Sequence, residues 1–259
     1  MVSLLPYKGV NSLATKSLVL IHAFPLSSEM YMGVAGELQE LLPTVNIILV
    51  DLPGFGNAPV RESWTLSEAM EELHFKLNEI GITNPVICGT SMGGYAALAY
   101  YRLYLNEVSA LILSNTKAEA DTEEAKAGRE EFAKDVQARG YDAVYMRMLN
   151  KLTARSTVEA HPELTEKLKS IIEKATPDAI AAALRAMALR EDSVELLHTI
   201  TTPTLVITGS GDELIAPAIS KAMADAIPNS HFHQIEGVGH LTPLEAQEEW
   251  AQVVADYLQ

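Results

Sequence analysis

Short β-branched and apolar runs alternate with longer amphipathic stretches along most of this chain, and no other feature constrains the fold as strongly. The strand candidates are Leu18–His22, Asn46–Asp51, Pro85–Cys88, Val108–Ser114, Thr204–Thr208 and His231–Glu236. Most are continuously apolar rather than alternating, the pattern of strands covered by helices on both faces. Helical stretches fall between them near Met30–Leu42, Leu66–Ile80, Gly93–Leu105, Pro217–Ala226 and Pro243–Leu258. The repetition predicts an α/β fold with a mostly parallel central sheet flanked by helices. Residues 1–21 leave room for one or two short strands, such as Val2–Leu5, so the N-terminal edge of the sheet should be abbreviated.

The segment from about Lys117 to His198 breaks the alternation and holds no convincing strand. It reads as helices over Asp121–Arg139, Tyr141–Leu152, Pro162–Ala175 and Pro177–Leu189, with a short one near Ser193–His198. Asp121 and Glu124 have capping-box spacing, Gly140 is a stop, and Thr176-Pro177 is a cap followed by proline at the first helical position. A core of residues 1–116 and 199–259 is therefore expected, with residues 117–198 as a helical cap inserted before the last two strands. A length of 259 residues suits one such domain better than two.

Charge removes some functions from contention. The chain carries 34 acidic and 19 basic residues, a formal net charge of −15. That field repels phosphate backbones and anionic bilayers, so neither nucleic acid nor membrane is an expected partner. The apolar run Ser17–Ile21 is too short to span a bilayer. Cys88 is the only cysteine, which rules out an intrachain disulfide and is compatible with a cytoplasmic location. It reads as a small core residue.

Gly89-Thr90-Ser91-Met92-Gly93 matches G-x-S-x-G. The motif is weak alone, but here it directly follows a strand candidate and directly precedes a helical stretch, the context a nucleophile elbow requires. Side chains two residues either side of the serine would collide as strand and helix approach, which suits Gly89 and Gly93. A serine hydroxyl needs a base at neutral pH. His240, in Gly237-Val238-Gly239-His240, lies after the last strand, in a loop that opens on the crevice where α/β sheets place their sites. Asp212, in Gly209-Ser210-Gly211-Asp212, follows the preceding strand and would orient the imidazole, with Glu213 as the local competitor. The order Ser91, Asp212, His240 suits this fold. Acyl transfer also needs backbone N–H donors for an oxyanion. Met92, next to the nucleophile, and Phe24, in the loop after the first main strand, are the candidates.

Other histidines read more plainly. His22 should organise its loop, His74, His161 and His198 sit on helix or loop surfaces, and His231 and His233 share a strand face without a third metal ligand at suitable spacing. The glycines of Asp51–Gly56 are not a phosphate loop, because no Lys-Ser or Lys-Thr follows.

Together, His22-Ala23-Phe24-Pro25, Asp51-Leu52-Pro53-Gly54-Phe55-Gly56, Gly89-Thr90-Ser91-Met92-Gly93-Gly94, Gly209-Ser210-Gly211-Asp212 and Gly237-Val238-Gly239-His240 resemble the α/β-hydrolase family over nearly the whole chain. The resemblance is strongest to a small cap-bearing bacterial branch of carboxylesterases, 3-oxoadipate enol-lactonases and non-haem haloperoxidase-like perhydrolases. It implies a small-molecule ester or lactone bound between cap and core, with no cofactor. Two departures stand out. Ala23 replaces a usual glycine, which predicts a tighter approach to the oxyanion site, and the N-terminal strands are short. Serine at position 91 separates the chain from dehalogenases and epoxide hydrolases, which use aspartate there. Met146, Met148, Leu149 and Met187 are candidates for an adaptable apolar substrate wall, with plain helix packing as the competing reading. A triad-containing ligand receptor, a C–C bond hydrolase and a perhydrolase stay open, because fold and triad do not fix substrate.

Overall fold

The apolar runs become strands, and those in the middle of the sheet are buried at every position. A computed structural model describes all 259 residues. Its seven strands are β1 (Ser3–Pro6), β2 (Lys16–Ile21), β3 (Val45–Asp51), β4 (Val86–Thr90), β5 (Ala110–Ser114), β6 (Thr204–Gly209) and β7 (Ser230–Ile235). They lie in the order β1-β3-β2-β4-β5-β6-β7, with only β1 antiparallel to its neighbour. β3 through β6 are buried throughout, as two covered faces require. The abbreviated N-terminal edge is the four-residue β1.

Helices α1 (Met32–Leu41), α2 (Leu66–Glu79) and α3 (Met92–Leu103) follow β2, β3 and β4. The insertion between β5 and β6 holds α4 (Glu123–Arg139), α5 (Tyr141–Met148), α6 (Arg155–Ala160), α7 (Glu163–Ile172), α8 (Pro177–Ala188) and α9 (Val194–Leu197). The chain closes with α10 (Pro217–Ala226), α11 (Thr242–Glu245) and α12 (Gln247–Leu258). α1 packs on α12, α2 on α3, and α4 most extensively on α8. Each aliphatic side chain fully buried in these contacts contributes roughly 1.5–3 kcal/mol. No helix is long and apolar enough to cross a membrane.

Local chemistry sets the helix ends. Thr65 and Glu68 complete a reciprocal capping box at α2, and Thr176 caps α8 ahead of Pro177. The Asp121–Glu124 capping box expected from spacing does not form. Thr122 caps α4 instead, accepting from the Ala125 N–H at 3.2 Å, while Asp121 turns inward to two arginines. The stretch Pro243–Leu258 is two helices, because Ala246 leaves helical geometry at φ −136°. α6 lies ahead of the expected Pro162 start, and α5 ends in a 3-10 turn over Leu149–Lys151.

The register aligns the carboxyl ends of the strands. Gly89 pairs with Ile21, Thr90 with Ser114, and Ser114 with Ile207. After β2 the chain crosses to β3 on one side and then to β4 on the other, so the loops after β2 and β4 part at this switch point and leave a crevice between them.

Candidate active site

Ser91 sits one residue beyond β4 at φ 55°, ψ −114°, left-handed backbone that a residue with a Cβ adopts only under constraint. The constraint is close packing of strand on helix. A Cβ at Gly89 would overlap the Gly93 carbonyl, and one at Gly93 would overlap the Ile21 carbonyl. Ser91 also stands at the N-terminus of α3, where amide dipoles favour negative charge.

Three side chains from distant parts of the sequence meet here. His240 Nε2 lies 2.7 Å from Ser91 Oγ. His240 Nδ1 lies 2.8 and 3.0 Å from the two carboxylate oxygens of Asp212. Burial pushes the Asp212 carboxyl up, but hydrogen bonds from His240, Ile215 N–H and Asn115 outweigh it and hold the group below the ordinary aspartate range. An ionised Asp212 takes the Nδ1 proton as its hydrogen bond, which leaves Nε2 as acceptor for the Ser91 hydroxyl. Both His240 and Asp212 are nearly inaccessible to solvent, so this alignment is not diluted by water. Glu213, the sequence competitor, is exposed, and the hydrogen bonds of the His240 ring go to Asp212 and Ser91 instead.

The surrounding network carries residues that sequence reasoning missed. Asn115, one residue past β5, donates from Nδ2 to Asp212 Oδ2 at 3.0 Å and to the Gly239 carbonyl at 3.2 Å. Its own Oδ1 accepts from Thr242 and Ser114 hydroxyls at 2.7 and 3.1 Å. Glu245 gathers four donors: Ala154 N–H, Thr157 hydroxyl and Gly239 N–H on Oε2 at 2.8–2.9 Å, and Leu241 N–H on Oε1 at 3.0 Å. One carboxylate thus ties the start of α6 to both flanks of His240. The only signal for Asn115 was a polar residue directly after an apolar strand. Glu245 gave none, because its donors come from segments far apart in the chain.

The Ser91 hydroxyl opens into a cavity of about 600 Å³ between the carboxyl ends of the strands and the insertion, lined by Phe24, His240, Met146, Met148 and Met187 among others. Three of the four expected wall residues are therefore on it. Met146 is at its rim and 74% exposed, while Met187 is buried. Leu149 is not a wall residue. It lies in the 3-10 turn after α5 and packs into the hydrophobic core. Phe24 packs edge-on against both Phe55 and Phe132. Neither the Phe24 nor the Met92 amide has a hydrogen-bond partner within the chain. His22 organises its loop, with Nδ1 at 2.9 Å from the Ala23 carbonyl and Nε2 accepting the Leu52 N–H at 3.1 Å. His231 packs against Tyr257, and His233 lies 3.5 Å from Glu249, both away from this cavity. Such an arrangement can take a proton from a hydroxyl, return it to a leaving group, and meet a developing anion with free amides.

Residues 16–247 match the family model described as the alpha/beta hydrolase fold. Among solved structures, a thermophilic esterase from Thermogutta terrifontis, solved with malate bound, superposes with a TM-score of 0.92 at 34% identity, covering 99% of this chain and 92% of that one. The 3-oxoadipate enol-lactonase 1 of Acinetobacter baylyi is 26% identical over 212 residues, 82% of this chain and 78% of that protein. A proline iminopeptidase from Lactobacillus delbrueckii subsp. bulgaricus is 24% identical over 268 residues, 93% of this chain and 89% of that protein.

Proposed function

This chain belongs to the α/β-hydrolase fold family, and from that premise we propose that it is a serine hydrolase cleaving a carboxylic ester or lactone through an acyl-enzyme. The observation that carries the reading is the unbroken chain of contacts from Ser91 Oγ through the His240 ring to Asp212. In the first step Ser91 Oγ attacks the carbonyl carbon while His240 Nε2 takes the hydroxyl proton. Asp212 stabilises the imidazolium that forms and is not itself protonated. The carbonyl oxygen becomes an oxyanion held by the Phe24 and Met92 amides, each donor being worth roughly 2.7–4 kcal/mol of barrier. His240 then protonates the leaving alkoxide, the ester C–O bond breaks, and Ser91 is left acylated. Water, deprotonated by His240, attacks the acyl carbon, and His240 returns that proton to Ser91 Oγ as the acyl–Oγ bond breaks and the acid leaves.

The esterase and enol-lactonase relatives support the substrate class. In this reading residues 117–198 form a cap over the carboxyl ends of the strands, and Met146, Met148 and Met187 line the substrate side of the cavity. No cofactor takes part in these steps. A buried single thiol, Cys88, suits a reducing compartment such as the cytoplasm.

The test is turnover of 4-nitrophenyl acetate by the wild type and by Ser91→Ala. The expected result is loss of nearly all turnover with the fold intact by circular dichroism. Retention of most of the activity by purified Ser91→Ala rejects the reading.

A further inference from the structure

The charge of the cavity runs against the charge of the molecule. Acidic residues outnumber basic ones by 34 to 19, yet Lys117, Arg129, Arg147 and Lys151 line the cavity against one carboxylate, Asp121. In so acidic a chain an unpaired cation is the exception. Fourteen of the nineteen basic side chains lie in ion pairs with carboxylates. Lys117 and Lys151 are two of the five that do not, and both face this cavity.

Asp121 does not neutralise the surplus. It is shared by Arg129 and by Arg190, whose Nη2 lies 2.7 Å away. Arg190 is 8% exposed and otherwise donates only to the Glu119 and Met187 carbonyls, at 2.8 and 2.9 Å, while stacking over the Tyr95 ring at 4.2 Å. Two guanidiniums on one carboxylate leave a net positive charge that cannot be lost, since arginine does not deprotonate in proteins. Arg147 is offset by Glu131 and Asp135, each at 3.2 Å. What remains is the shared arginine pair plus two free lysines.

Placement separates these cations from the reaction itself. The oxyanion would be met by amides at the ends of β2 and β4. Lys117 instead follows β5, three residues beyond Ser114, and Lys151 belongs to the insertion. Low-dielectric walls of one sign focus the field inside a cleft and raise the local concentration of an oppositely charged ligand. A volume of about 600 Å³ holds a small substrate with a second polar end.

We propose that the substrate is an ester or lactone bearing a second, ionised carboxylate, which Lys117 and Lys151 hold at the insertion side of the cavity while its reacting carbonyl faces Ser91. The proposal rests on the serine-hydrolase reading above and narrows it to anionic substrates. A substrate of this kind is converted from a monoanion to a dianion, or from an anionic lactone to a hydroxy diacid. The product therefore carries more negative charge than the substrate.

The test compares two substrates with the same leaving group and chain: the 4-nitrophenyl half-ester of adipic acid, which is anionic, and its methyl diester, which is neutral. The quantity read is the ratio of kcat/KM for the half-ester over the diester. The wild type is expected to favour the half-ester at least about tenfold at low salt, with the preference shrinking as ionic strength rises. The double variant Lys117→Met/Lys151→Met should lose most of that ratio, and Lys8→Met, a lysine remote from the cavity, should keep it. A wild-type ratio near one, or a ratio unchanged in the double variant, overturns the proposal while leaving Ser91-dependent ester hydrolysis standing. Failure of both esters to be hydrolysed by the wild type, with no Ser91-dependent turnover of 4-nitrophenyl acetate, overturns the serine-hydrolase reading and the proposal with it.

Discussion

Asp212, past the end of β6, and Asp121, at the start of the helical insertion, are both buried carboxylates held below the ordinary aspartate range, but their partners differ in kind. Asp212 faces neutral donors: the Leu214 and Ile215 amides at 2.8 and 2.9 Å, the Asn115 side chain, and an imidazole whose charge can change. Asp121 faces two permanent cations. Burial raises both carboxyl groups, and in each case the partners win. The Asp212 side is arranged so that a proton arriving on His240 creates a new ion pair in place. On the Asp121 side the ion pairing is already complete, and no proton transfer near neutral pH alters it. In the proposed mechanism the same residue in similar burial serves proton chemistry in one place and fixes a field in the other, according to whether its partners carry a permanent charge.

The sharpest way to break this comparison is to remove one charge at a time. Asp212→Asn should lower kcat on the order of 10⁴-fold, because the amide favours the wrong imidazole tautomer and cannot stabilise the imidazolium. Asp121→Asn should leave Ser91 reactive towards a fluorophosphonate, and equal loss of reactivity in the two variants would erase the distinction.

A second effect concerns stability. Asp121→Asn leaves two buried or half-buried guanidiniums without an anion, which costs about 3 kcal/mol. For a chain this size that lowers the melting temperature by roughly 6–12 °C at neutral pH. The sign with pH follows from the depressed carboxyl. The stabilisation is fully present above the ordinary aspartate range and is lost as pH falls through the lower folded-state value. The gap between wild type and variant should therefore close at acid pH, as followed by thermal melts across a pH series. A gap that widens on acidification contradicts this assignment.

The smallest effect sharpens the role of Asn115. Its amide is one of the groups that hold Asp212 ionised and also pins the Gly239 carbonyl beside His240. Asn115→Ala should reduce kcat roughly tenfold with KM nearly unchanged, as expected for one hydrogen bond to a charged group. Stopped-flow rates for the acylation step check this, and a change confined to KM would place Asn115 in substrate binding instead.

Much of the sheet was legible because continuous apolar runs such as Asn46–Asp51 and Thr204–Thr208 can be stable only when covered on both faces. Ser91, Asp212 and His240 were legible because each sits in a glycine-bearing turn directly after a strand, and parallel strands place all such turns on one rim. Cooperation between separate segments was not legible. Asp121 has the spacing of a helix cap, and only the fold reveals that Arg190, near the far end of the insertion, offers a stronger partner. Leu149 is apolar like Met146 and Met148 beside it, but it falls in a 3-10 turn that packs it into the core. Glu245 reads as an ordinary acidic residue near a helix start, although its carboxylate joins the insertion to the His240 loop.

The most direct measurement is rapid acid quenching of enzyme mixed with 4-nitrophenyl acetate, followed by peptide mass spectrometry. If His240 activates Ser91, one acetyl group per chain accumulates on the peptide carrying Ser91, and it disappears in His240→Ala. Acetylation of another residue, or equal labelling of Ser91 in His240→Ala, would contradict the account.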